Sequence, residues 1–112
     1  MREIMSRDEA DAIVRSFFSV APEAMEGRSA RAMGEFYQSL LDSHKSEDLV
    51  RLIRTIDAKQ QKAYAAGRKS CQMDERYRRR AEDALYGELA VVLDVDRKEV
   101  EDCIRRAAEA AV

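Results

Sequence analysis

From Ala10 the apolar side chains Ile13, Val14 and Phe17 return at i+3, i+4 and i+7, the period that lines them along one face of an α-helix. Four further segments keep the same period. A stripe of this kind is unstable alone in water, so the five helices it predicts must bury their stripes against one another in a shared core. The first helix should run from about Arg7 to Phe18, entered through Ser6-Arg7-Asp8-Glu9, which has capping-box spacing. Pro22 and Gly27 bracket a connector. A second helix follows Ser29, carries Met33, Phe36, Tyr37, Leu40 and Leu41 on one side, and should stop near Ser43-His44-Lys45.

Ser46 precedes two acids and is expected to cap a third helix, whose apolar positions Leu49, Leu52, Ile53 and Ile56 continue through Ala63 and Tyr64 to a stop at Gly67. After the polar loop from Arg68 to Cys71, a fourth helix shows Tyr77, Ala81, Ala84, Leu85, Leu89 and Val92 in register and ends near Asp94. Asp96-Arg97-Lys98-Glu99 opens a fifth, with Val100, Cys103, Ile104 and Ala107 inward. Gly87, in the middle of the fourth helix, costs about 1 kcal/mol against Ala, and a close helix approach under Tyr86 and Glu88 is the expected return. With only 4 glycines and 1 proline in 112 residues, little in the chain would break it into strands. The reading is all-α: one domain over residues 1–112, a compact bundle of about five helices.

No apolar run approaches the roughly 18 residues of a membrane span, and MREIMSRDEA at the N-terminus sets two arginines among three acids where a secretory signal would be apolar. A cytoplasmic protein without membrane contact is expected. Cys71 and Cys103 are isolated and His44 is the one imidazole, so the sequence signals neither a zinc site nor a disulfide framework, and no cofactor. A nucleophile elbow, a glycine-rich phosphate loop and an HExxH motif are all missing, which argues against an enzyme.

Charge is where the chain departs from a plain bundle. The net value of -2 divides into -4 over residues 1–48, +7 over 49–80 and -5 over 81–112. The middle segment holds Arg51, Arg54, Lys59, Lys62, Arg68, Lys69, Arg76, Arg78, Arg79 and Arg80 against Asp57, Asp74 and Glu75. Such a concentration attracts phosphate backbones, and it is also what a solvated helix face looks like. At 100° per residue Arg76 and Arg79 point outward, with Arg78 and Arg80 on the flanks. Glu75 with Arg79, Arg78 with Glu82 and Arg79 with Asp83 are i, i+4 pairs, whereas Arg76 and Arg80 have no acid at that spacing. On the third helix Arg51, Arg54 and Lys62 also face away from the apolar arc. Charge alone leaves both readings open.

The stretches MREIMSRDEA (1–10), SEDLV (46–50), IRTI (53–56), DERY (74–77) and AEDALYGELA (81–90) carry a resemblance that extends over essentially the whole chain. Together they resemble the C-terminal helical domain of the CarD family of bacterial transcriptional regulators, most closely its clostridial members. The resemblance implies a helical domain that approaches promoter DNA at the upstream edge of the melted region. It also implies an N-terminal Tudor-like domain, absent from this chain, that holds the β subunit of RNA polymerase. A regulator of that kind tunes open-complex stability.

On this resemblance Arg76 and Arg80 fall where relatives are basic, and the expected DNA contacts are Arg76, Arg80, Arg79, Arg51, Arg54, Lys62 and Lys69. Promoter DNA should be held weakly and without sequence preference, because phosphate contacts position a protein without reading bases. Actinobacterial relatives place a tryptophan where this chain has Met33. A methionine can also wedge between bases, although Met33 at helical spacing from Phe36, Tyr37 and Leu40 reads first as core. The alternative is a helical protein-interaction module with no DNA affinity, whose basic face docks an acidic partner.

Overall fold

Ser6 opens the first helix, its Oγ accepting the Glu9 backbone N–H at 3.1 Å, and Ser29 opens the second by the same device toward Ala32. Each side chain satisfies a donor that the first helical turn leaves without a partner. In the computed structural model, which describes residues 5–22, 27, 29–43, 45–69 and 72–110, the helices are α1 (Arg7–Ser16), α2 (Ala30–Asp42), α3 (Ser46–Ala65), α4 (Gln72–Leu93) and α5 (Arg97–Ala110). A 3-10 turn, Phe17–Ser19, extends α1. The chain is all-α among the described residues, as the apolar period requires.

One start differs from expectation. Ser46 is the first helical residue of α3 and Lys45 occupies the cap position without a side-chain bond; the Lys45 carbonyl accepts from Asp48 and Leu49 instead. Glu47 and Asp48 in the first turn supply the negative charge that the helix N-terminus favours.

Two helix ends share one geometry. At the end of α3, Arg68 N–H donates to the Ala63 carbonyl and Gly67 N–H to that of Tyr64, with Gly67 at φ +77°. At the end of α4, Val95 N–H donates to Ala90 and Asp94 N–H to Val91, with Asp94 at φ 56°. Both are Schellman closures, and the left-handed position that glycine fills after α3 is filled by an aspartate after α4.

The core sits around α3. Leu49, Val50, Leu52, Ile53, Thr55 and Ile56 are all buried, so the N-terminal half of this helix is covered on nearly every side. Helices α4 and α2 pack on it, α1 and α5 pack together, and α4 joins the two groups through Ala81, Leu85, Tyr86 and Leu89. The molecule is 21 Å deep in its thinnest direction, two helix diameters. Ahead of α1, the buried Met5 is held to α4 by its backbone N–H on Glu88 Oε1 at 3.0 Å.

Three apolar expectations are corrected. Tyr64 is 60% exposed, because the last turns of α3 run beyond the core. Ala84 is exposed and Tyr86 buried, so the inward arc of α4 is turned toward Arg78, Glu82 and Tyr86. Gly87 has open space where a Cβ would stand, so close helix packing does not account for it. A helical glycine does meet a neighbour at Gly34, whose absent Cβ would lie 3.5 Å from Met73 Sδ where α2 crosses α4.

Candidate nucleic-acid interface

The basic segment presents most of its cations outward, while two of its three acids, Asp57 and Asp74, are turned inward. Asp74, in the first turn of α4, is 1% exposed; Tyr37 of α2 donates its hydroxyl to Oδ1 at 3.0 Å and Lys59 of α3 reaches Oδ2 at 2.8 Å. Three helices meet on one carboxylate. Asp57 of α3 accepts from Arg78 at 2.7 Å, and the same guanidinium holds Glu82 at 2.9 Å and Gln60 at 2.7 Å. Burial pushes Asp57 above the usual carboxylate range, against the pull of Arg78. For Arg78 burial acts against the charge, but the hydrogen bond to Glu82 and the nearby Asp57 outweigh it and raise the guanidinium above its ordinary value. Tyr86, beside this group, is raised by burial and then by Glu82.

These two seams use up Lys59 with Asp74 and Arg78 with Asp57. Eight of the ten cations of residues 49–80 are left outside them with Glu75 as the remaining acid, and the segment keeps its +7. The i, i+4 pair between Arg78 and Glu82 forms as its spacing suggests, but both side chains are mostly covered, so Arg78 is a structural residue and not one of a solvated row.

Arg76, Arg79 and Arg80 are exposed and line one open recess of about 400 Å³ together with Gln72, Glu75 and Asp83. Their placement follows from the seam beneath. Asp74 pins the first turn of α4, Tyr77 one turn on donates its hydroxyl to Gln38 at 3.2 Å and packs 5.4 Å from the Tyr37 ring, and the Arg80 guanidinium lies 5.6 Å over Tyr77. Arg79 forms neither pair that its spacing offered: Asp83 is taken by Arg97, reaching back from α5. Among the described residues Arg76 and Arg79 have no ion-pair partner.

The remaining expected contacts are scattered. Arg51 and Lys62 are exposed on the outer stripe of α3, eleven residues or about 16 Å apart along the axis. Lys69 is exposed in the connector between α3 and α4. Arg54 is half-buried: its Nε donates to the Val20 carbonyl at 3.4 Å and its guanidinium lies 5.2 Å over the Phe18 ring, so it clips the 3-10 turn to α3. Met33 is half-buried and packs against the core. His44 and Cys71 lie outside the described residues; Cys103 is a half-buried free thiol.

Arg97, Lys59 and the acids Asp57 and Asp74 were given no part in the site by the reading of the sequence. The signal was present for the last of these: Asp74, Arg78 and Glu82 are spaced i, i+4, i+8 on the arc that also carries Ala81 and Leu85, so polar groups had to be paired inside. Arg97 carried no such mark, since it lies fourteen residues from Asp83. Among the described residues no cluster of three His, Cys, Asp or Glu could hold a metal, and no helix is long and apolar enough to cross a membrane.

Among the described residues the fold is therefore that of a small five-helix bundle with a cationic recess on its fourth helix. No protein-family model, curated protein or solved structure matches the chain.

Proposed function

We propose that this chain is the DNA-facing helical domain of a CarD-like regulator of transcription initiation, acting in the cytoplasm of a bacterium. In that role it lies on promoter DNA beside RNA polymerase and modulates the stability of the open complex. Contact with the polymerase β subunit belongs to a separate Tudor-like domain. The observation that carries the reading is the convergence of Arg76, Arg79 and Arg80 on one exposed recess while Asp57 and Asp74 are drawn inside. Guanidiniums held at the surface by a rigid seam suit phosphate oxygens, and without a row of aromatic side chains between them they have little with which to read bases. Met33, seated against the core, serves packing in this reading.

The test is binding of duplex and forked promoter DNA, followed by fluorescence anisotropy at low salt. Arg76→Ala with Arg80→Ala should weaken both complexes alike. Arg105→Ala with Arg106→Ala, the same change of charge on α5, should have little effect. If both double variants bind as the unmodified chain does, with helical content intact, the arginines are a solvated face. The module that docks an acidic protein then takes the place of this reading.

A further inference from the structure

The recess that gathers three arginines also contains an acid. Asp83 lies one turn beyond Arg79 and Arg80 on the same side of α4, and it lines the recess with them. Its partner comes from another helix: the Arg97 guanidinium, in the first turn of α5, closes on Asp83 Oδ1. The two side chains are about half exposed, 53% for Asp83 and 51% for Arg97, so the pair is open to solvent and not buried beneath the recess.

We infer that Asp83 and Arg97 set the affinity of this recess: Asp83 opposes an entering phosphate, and Arg97 neutralises Asp83 from α5. The inference rests on the phosphate-binding reading of the recess and adds its regulation. A pair placed for stability alone would need neither to be exposed nor to stand among unpaired arginines, and an exposed pair contributes little to folding. Its field, in contrast, falls on whatever occupies the recess. Glu75, the other acid there, also makes a contact within the protein; Asp83 is the acid that Arg97 neutralises from α5.

The consequence is an ordered set of affinities. Asp83→Asn removes the opposing charge and should tighten duplex binding about threefold at low ionic strength, the size expected for one unit charge acting across a solvated recess. Arg97→Ala leaves Asp83 uncompensated and should weaken binding by a similar factor. With Asp83→Asn already in place, Arg97→Ala should change little, because Arg97 acts through Asp83 and makes no phosphate contact of its own.

Net charge alone would mimic the single variants, so each has a matched control on the exposed N-terminal turn of α5, outside the recess. Glu99→Gln carries the charge change of Asp83→Asn, and Lys98→Ala that of Arg97→Ala. Binding should be measured for a mixed-sequence duplex by anisotropy and for inorganic tripolyphosphate by calorimetry. The inference holds if the recess variants shift affinity as stated while their controls do not. It is overturned if controls and recess variants shift alike, or if Arg97→Ala weakens binding equally with and without Asp83. The outcomes also separate it from the DNA reading. Tripolyphosphate that follows Asp83 while the duplex does not bind leaves the inference standing and removes the DNA reading. A duplex that depends on Arg76 and Arg80 but ignores Asp83 does the reverse.

Discussion

Asp74 shows how one side chain can carry several roles. Its carboxylate closes a junction of α2, α3 and α4, and no buried side-chain polar atom among the described residues lacks a partner. Removing one member of such a junction strands the others, so Asp74→Ala should destabilise the chain by about 3 kcal/mol or more, as breaking a buried ion pair does. Tyr37→Phe removes one hydrogen bond to a charged group and should cost about 2 kcal/mol. Urea unfolding of the two variants checks the order. If Asp74→Ala proved the milder, the junction would not be holding the three helices. Asp57 gives the opposite pH signature to a surface acid. Its pKa in the fold is raised above the unfolded 3.8, so in that window the folded state binds the proton more readily and stability falls as pH rises. Relative to Asp57→Asn, the unmodified chain should therefore gain stability as the pH is lowered through the raised value toward 3.8. Parallel stability curves for the two across that window would show that Asp57 is not shifted.

At the level of the helices, the elements were legible and one face was not. The caps at Ser6 and Ser29, the stop at Gly67 and the positions Leu49, Leu52, Ile53 and Ile56 all follow from local rules, because capping and helical period depend on neighbours in sequence. The inward face of α4 depends on partners far along the chain. Counting apolar residues placed Ala84 inside and Arg78 on the flank, whereas Asp57 and Gln60 of α3 draw Arg78 inward and Tyr86 follows. The cationic recess was legible as charge, but its membership was not: Arg78 and Arg54 were turned to structural use, and Arg97 entered from α5. The two registers separate by experiment. Tyr86→Ala should cost about 3 kcal/mol as a large core truncation, while Ala84→Gln should stay within about 0.5 kcal/mol. A chain that tolerates the first and unfolds with the second would restore the face drawn from the apolar count.

For the whole molecule, a net charge of -2 and a segment of +7 make opposite demands on an approaching duplex. Acidic segments on either side of the basic one repel the phosphate backbone at long range, so attraction is confined to the recess and its surroundings within about 10 Å, the screening length near 0.1 M salt. Three exposed arginines in the recess set the number of phosphates that can be neutralised there. At about 0.9 counterions released per phosphate, the log-log salt slope for duplex binding should lie near -2.7, and affinity at physiological salt should fall in the range of about 10⁻⁴ to 10⁻⁶ M typical of contacts that ignore sequence. Replacing Arg76 and Arg80 together should flatten that slope by about two. Titrations of two unrelated duplexes across a salt series decide the matter. A slope much steeper than three would bring Arg51, Lys62 and Lys69 into the contact surface. A tight, salt-insensitive complex with one sequence would mean that recognition rests on groups other than this recess.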